Sequence, residues 1–272
     1  MARPRSCRGA GAEPGSVAMN RVYDDERLAG AYERGNEMPV ESLRSWVDLI
    51  ASRLDRTSPA LLEVGTGTGM FAAGLARWIE GADLLAVDPS EPMLAEARRH
   101  NPHPSVRYEP GSAEAVPAPA DSFDGVFLSR VIHHVTDRKA AARELARVLR
   151  ADGKLIIRTT FREHLDALVY DYWPQLRVTD QRRFPGEKEL VNDFVTAGFV
   201  LQEVASFAQP VTASLREYHD RLVTRPQSKF THLTTRQFQD GLRRLEAAVE
   251  RESEGEPMPV TERYDVAVFS LA

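Results

Sequence analysis

Leu61-Leu62-Glu63-Val64-Gly65-Thr66-Gly67-Thr68-Gly69-Met70 is the stretch on which the fold turns. A short apolar strand runs into three alternating glycines, and a helical pattern carrying Phe71, Leu75, Trp78 and Ile79 follows. A glycine-rich turn between a strand and a helix lets the backbone approach a ligand closely. The spacing is G-x-G-x-G. The dinucleotide fingerprint G-x-G-x-x-G needs glycine at position 70, where Met70 stands. An acid, Glu63, precedes the first glycine by two residues. A carboxylate there repels a pyrophosphate and suits a ligand that carries positive charge.

Outward from this turn the chain alternates strand and helix. Strands are expected at 61–64, 84–87, 106–108, 123–128 and 154–159, with helices at 70–80, 92–100 and 139–149 between them. Short apolar strands separated by helices, without Asn-Gly hairpin signals, predict an α/β fold with a doubly wound, mostly parallel sheet and helices on both faces. After the fifth strand come a helix at 187–197 and strands at 200–207 and 264–271, the last of seven and antiparallel. Two segments interrupt that pattern. Residues 161–185 are rich in aromatics and arginine, and 211–259 carry capping boxes at Ser214 with Glu217 and Thr234 with Gln237. Neither is large enough to hold its own core, so both are expected to build a helical lid on a core spanning 57–272. Upstream, Val40, Leu43, Trp46, Val47, Ile50 and Leu54 share one helical face within an N-terminal cap, 19–56. Residues 1–18 have almost nothing to bury and are expected to be disordered; Met19 offers an alternative start.

Composition narrows the function. The chain has 272 residues, 42% hydrophobic and 28% charged, which excludes disordered and fibrous classes. A net charge of −5 disfavours a nucleic-acid surface. Arginine far outnumbers lysine but is spread rather than clustered, as base composition of the gene alone would produce. No apolar run reaches the roughly 20 residues that span a bilayer. One cysteine, Cys7, excludes an internal disulfide. Histidines and carboxylates show no metal-ligand spacing such as H-E-x-x-H, so no metal is expected. The expectation is a cytoplasmic enzyme without membrane insertion or nucleic-acid partner.

A second acid points to a nucleoside. Asp88 ends the second strand, where a carboxylate accepts hydrogen bonds from both ribose hydroxyls. Pro89 and Met93 follow, the latter able to lie against adenine. Gly111-Ser112-Ala113-Glu114-Ala115-Val116-Pro117, after the third strand, is placed to reach the adenine edge.

Together, LLEVGTGTG, VDPSEPMLAEAR, GSAEAVP, DSFDGVFLSRVIHHV and ELARVLRADGKLIIRTTF resemble the class I S-adenosylmethionine-dependent methyltransferases, with a Rossmann-like core. The likeness is to the group that contains quinone-biosynthesis and many small-molecule methyltransferases, and it covers about 60–160. The resemblance implies S-adenosylmethionine as cofactor and a small-molecule acceptor. It implies Glu63, Gly65 and Thr66 at the methionine end, Gly67 and Gly69 in the tight turn, and Asp88 on the ribose. It places Pro89, Met93, Ser112, Ala113 and Glu114 about adenine, Ser129 at methionine, and Tyr23 over the cofactor. Relatives often carry Asp where Ser112 stands, which removes a charge from that contact.

Methyl transfer needs alignment and exclusion of water, and a base only where the nucleophile must lose a proton. His133 and His134, after the fourth strand, read either as that base or as packing under the cofactor. Arg130 and Arg158 lie at the same edge; Arg158 reads as an anchor for a substrate carboxylate or phosphate, or as a salt bridge to a lid acid. Tyr170, Tyr172 and Trp173 read as a stacking surface for an aromatic or prenyl substrate, or as lid core. Two other functions fit the glycine loop: a cofactor-binding cyclase or regulator that transfers no methyl, and, against the Gly69-Met70 spacing, a nicotinamide-dependent dehydrogenase.

Overall fold

The computed structural model describes residues 38–54, 56–223, 228–252 and 255–272. The tail at 1–18, the first part of the cap and Tyr23 lie outside the described residues.

Helix α1 (Val40–Ala51) leads into β1 (Ala60–Val64), α2 (Met70–Trp78), β2 (Asp83–Asp88), α3 (Glu91–His100), β3 (Val106–Pro110) and β4 (Phe123–Ser129). Then come α4 (Arg138–Val148), β5 (Leu149–Thr159), the short α5 (Val169–Tyr172), α6 (Pro174–Arg183) and α7 (Glu187–Val195). The chain finishes with β6 (Phe199–Thr212), α8 (Leu215–Leu222), α9 (Thr235–Val249) and β7 (Val260–Leu271). The seven strands form one sheet in the order β3-β2-β1-β4-β5-β7-β6. β1 to β5 are parallel, and β7 runs antiparallel between β5 and β6. The expected fold is the observed one.

Both faces of the sheet are apolar because each strand alternates between two cores. Leu62, Val64, Leu85, Val87, Val126, Leu128, Leu155 and Ile157 share one cluster with Leu145 and Phe194. Leu61, Leu84, Ala86, Phe127, Ile156, Val266 and Val268 share the other, with Leu43, Trp46, Val47 and Ile50 of α1. Period-2 alternation with both sets buried is what a sheet covered on two faces requires.

Two expectations about boundaries shift. Leu149 belongs to β5 rather than to the preceding helix, pairing with Phe123. β6 and β7 are longer than their apolar pattern suggested, because their ladder continues through polar residues from Phe199↔Leu271 to Thr212↔Val260. Pro210 is tolerated there because β6 is an edge strand, with a register shift between Pro210 and Thr212. The two insertions also share a core. Leu165, Val169, Trp173 and Leu176 of the first pack with Leu215, Tyr218, Phe230, Phe238 and Leu245 of the second.

Candidate functional site

Strand order reverses between β1 and β4, and in open α/β sheets the crevice beyond the carboxyl ends at that point is where ligands bind. The glycine turn occupies it. Gly65, Gly67 and Gly69 have φ of +69°, +55° and +82°. A Cβ on Gly65 would come within 2.3 Å of Val131 Cγ2, from the loop after β4, and one on Gly69 within 2.5 Å of Tyr108 Oη. Any other residue at either place would be strained and would clash. Gly69 caps α2 with no side-chain hydrogen bond, so the first amides of that helix are not satisfied by a capping side chain.

Asp88 ties the turn to the second strand. Its Oδ2 accepts from the Gly67 amide at 2.9 Å and its Oδ1 from the Ser90 amide at 2.9 Å. Ser90 in turn caps α3 by accepting from the Met93 amide, which fixes the loop that carries Pro89. Met93 is buried and Pro89 exposed. Ser112 and Ala115 close a tight turn through reciprocal backbone bonds, holding Ala113 and Glu114 at its tip.

A cavity of about 280 Å3 opens on the other side of the loop. Its walls run from Glu63, Gly65, Thr66 and Gly67 past Ser129, Arg130 and Arg158 to Glu262 and Tyr264. Glu63 is 2% exposed and accepts from the Thr66 hydroxyl at 2.7 Å. Burial pushes its carboxyl up to about 8, against the opposing pull of Thr66 and the Ala72 amide, with Asp88 raising it further. At pH 7 it is mostly neutral, and a cation arriving beside it would favour the ionised form.

Arg158 forms no ion pair with a lid acid among the described residues, and it lines the cavity. It is buried, with Nη1 donating to Ser129 Oγ at 3.0 Å and Nη2 to Gln209 Oε1 at 2.8 Å. Gln209 Oε1 also accepts from Trp46 Nε1 at 2.6 Å. The guanidinium carbon lies 3.6 Å from the Tyr264 ring centroid and 4.6 Å from that of Trp46. No described carboxylate pairs with it, and burial lowers it to about 10. With one bond from each terminal nitrogen and rings close by, the guanidinium is held in place as a wall of the cavity, its Nε–H buried without a partner. Arg130 has φ +59° and its amide donates to the Arg158 carbonyl at 2.8 Å. It faces both this cavity and a smaller chamber beside it.

The histidine pair lies elsewhere. His133 stacks on Phe184 at 4.1 Å between centroids, and His134 Nδ1 accepts from Arg183 Nη2 at 3.2 Å. Neither lines the cavity or the chamber. Burial, with Arg183 and Arg130 beside them, holds His133 well below the ordinary imidazole range and His134 down at about 4. Both imidazoles pack against Phe184 and Arg183 of the lid, apart from the two spaces described.

The lid aromatics divide. Trp173 is fully buried, stacks on Phe238 at 5.7 Å and donates to its carbonyl at 3.1 Å. Tyr172 leans edge-on against Trp173 and lines no cavity. Tyr170 alone of the three reaches the chamber, its hydroxyl donating to buried Asp180 at 2.9 Å. Of the two readings of these residues, lid core describes Trp173, while Tyr172 is half-buried against it and Tyr170 both packs in the lid and lines the chamber.

The residues that sequence reasoning missed come from far along the chain. Gln209, Glu262, Tyr264 and Lys229 line these spaces, and Tyr264 donates to Glu262 Oε2 at 2.6 Å. His164 Nδ1 lies 2.9 Å from Oδ1 of fully buried Asp265. No sequence motif marks any of them. Among the described residues no group of three or more His, Cys, Asp or Glu is placed to hold a metal ion. No described helix is long and apolar enough to cross a membrane.

Comparison with known proteins follows the same boundary. Residues 62–157 match the family described as a methyltransferase domain. The ubiquinone biosynthesis O-methyltransferase of Xanthomonas oryzae pv. oryzae is 33% identical over 129 residues, covering 46% of this chain and 53% of that protein. The curated relatives are covered over 22% to 63% of their own length. Among solved structures, a protein of Anabaena variabilis assigned as a methyltransferase of an antibiotic biosynthesis pathway superposes with TM-score 0.65 at 23% identity, over 84% of this chain and 97% of that one. The [4+2]-cyclase SpnF superposes with TM-score 0.56 at 19% identity, over 84% and 80%. These two likenesses are of fold.

Proposed function

We propose that this chain, whose residues 62–157 form a class I S-adenosylmethionine-dependent methyltransferase domain, transfers the cofactor's methyl group to an O, N or C nucleophile of a small molecule. The observation that supports this best is the continuity of one cavity from Glu63 and the glycine turn to Glu262 and Tyr264. It offers a cofactor end and an acceptor end within a single space.

The residues present fit the cofactor. Glycines that exclude a Cβ leave backbone facing the crevice, and a buried, proton-holding carboxyl stands where a cation would be received. Gly65, Thr66 and Glu63 would hold the methionine end, Asp88 the ribose, and Pro89, Met93, Ser112, Ala113 and Glu114 the adenine side. When bound, S-adenosylmethionine supplies an electrophilic methyl on a sulfonium that loses its charge as the methyl leaves in line. The protein aligns and dries the site. Ser129 and the fixed Arg158 guanidinium form the wall beside the reacting centre. Glu262 is kept ionised by Lys229, Arg130 and Arg158 despite burial, and with the Tyr264 hydroxyl, which donates its proton to it, it presents oxygen acceptors to the nucleophile's side of the cavity. Alignment of this kind is worth up to roughly 7–11 kcal/mol of barrier.

Calorimetric titration tests the cofactor, and labelled-methyl transfer to a panel of small acceptors tests the reaction. We expect S-adenosylmethionine to bind and NADH not to. NADH binding alone would overturn the reading. Cofactor binding with no transfer to any acceptor would favour a cofactor-binding protein that methylates nothing.

A further inference from the structure

Lys229 presents an ammonium that, in the function above, acts only through its charge on Glu262 and contacts no bound molecule. The protein has only four lysines, and this one projects from the lid into the chamber next to the main cavity. It makes no hydrogen bond or ion pair with any described residue; the Tyr170 ring lies 5.7 Å from Nζ. A partly buried charge without a paired partner is costly, and burial together with Arg130 and Arg183 lowers its proton affinity, against the opposing pull of Glu262 and Asp180. Such a group is completed by an anion.

The chamber sets the size of that anion. Its volume is about 30 Å3, against the roughly 10–15 Å3 that one water requires, which leaves room for about two oxygen-sized groups. A carboxylate has that size; a phosphate, with three terminal oxygens, exceeds it. The charges agree. Asp166 is already paired with Arg263 at 3.3 Å, which leaves Arg130 and Lys229 facing Glu262, whose Oε2 accepts from Tyr264. Arg130, Glu262 and Tyr264 also line the main cavity, so a molecule with its carboxylate in the chamber has its body on the acceptor side of the methyl site.

We propose that the chamber binds a carboxylate carried by the methyl acceptor, with the Lys229 ammonium as its direct partner and Arg130 as the second positive charge. The acceptor class is then a small organic acid whose methylated atom lies away from its carboxylate. This rests on the methyltransferase reading, and the test separates the two. Protein loaded with S-adenosylmethionine is titrated with benzoate, benzamide and phenyl phosphate. Benzoate binding, with benzamide and phenyl phosphate at least tenfold weaker, is expected. Lys229→Met should weaken benzoate at least tenfold, and Lys229→Arg should restore it to within about threefold. Equal binding of benzamide, tighter binding of phenyl phosphate, unchanged affinity in Lys229→Met, or no binding of any probe would each overturn the proposal. The ranking of the three probes on the unaltered protein keeps the test decisive even where a variant folds poorly. A separate titration with S-adenosylmethionine reports the cofactor reading on its own: loss there with benzoate binding intact would remove that reading and leave the anion site standing.

Discussion

The two walls of the crevice are built in opposite ways. On the cofactor side, Glu63, the three glycines, Asp88 and Ser90 come from consecutive elements, and their bonds run between adjacent loops: Thr66 to Glu63, Gly67 to Asp88, Ser90 to Asp88. On the facing side, Trp46, Arg158, Gln209 and Tyr264 meet from four separated parts of the chain, with Gln209 accepting across 163 positions from Trp46 and 51 from Arg158. The first wall is a property of a turn. The second is a property of the whole fold, and it is the wall that the proposed acceptor would meet. Cofactor recognition can thus be inherited as a short segment, whereas acceptor recognition depends on how the lid and the last two strands are assembled.

The largest expected effect bears on the cofactor wall. A folded-state carboxyl at about 8 against an unfolded value near 4.5 means that the native protein holds the extra proton between those values. Its stabilising contribution is present below about pH 4.5 and is lost as pH rises through 8, by on the order of 5 kcal/mol. His133 and His134, depressed in the folded state, act in the opposite sense below about pH 6.5. Comparing urea unfolding of Glu63→Gln with the parent from pH 5 to 8.5 isolates the carboxyl; parallel curves would show that Glu63 is not buried in its acid form. In the lid, Trp173→Ala should cost about 3–5 kcal/mol of stability by emptying its core, read as a lower urea midpoint. A shift of less than about 1 kcal/mol would mean that the two insertions do not share that core. Asp88→Ala should weaken cofactor binding by at least about 1.5 kcal/mol in calorimetry, and an unchanged dissociation constant would remove the ribose role. Smallest of all, His134→Ala should leave turnover within about twofold; a hundredfold loss would return that imidazole to the reacting centre.

The same contrast decides what the sequence could tell. The glycine turn, Glu63 and Asp88 were legible because their function lies in backbone conformation and residue type at fixed offsets. The sheet was legible for a related reason, since its strands are continuous apolar runs. Arg158 was visible as a buried-edge arginine but its role was not, because its partners, Ser129, Gln209 and the Tyr264 and Trp46 rings, have no sequence spacing to betray them. Trp173 and Tyr172 were ambiguous for the usual reason that an aromatic cluster reads the same whether it faces a ligand or a core. Here Phe230 and Phe238 of the second insertion cover Trp173. The histidine pair drew attention by its place after the fourth strand, and Phe184 and Arg183 from the lid account for its surroundings.

The long ladder between β6 and β7 has a consequence for how such a protein can change. Thr212 and Val260 pair at its far end, so the segment between them enters and leaves at neighbouring points. Strands that close together can be joined by a turn of two to five residues. Lengthening, shortening or exchanging the intervening helices therefore leaves the pairing of the sheet intact, and the penalty of a longer connection grows only with the logarithm of its length. The segment between Thr212 and Val260, which carries Lys229, is mounted like a replaceable head on a fixed ribbon, free to diverge while the glycine turn stays as it is.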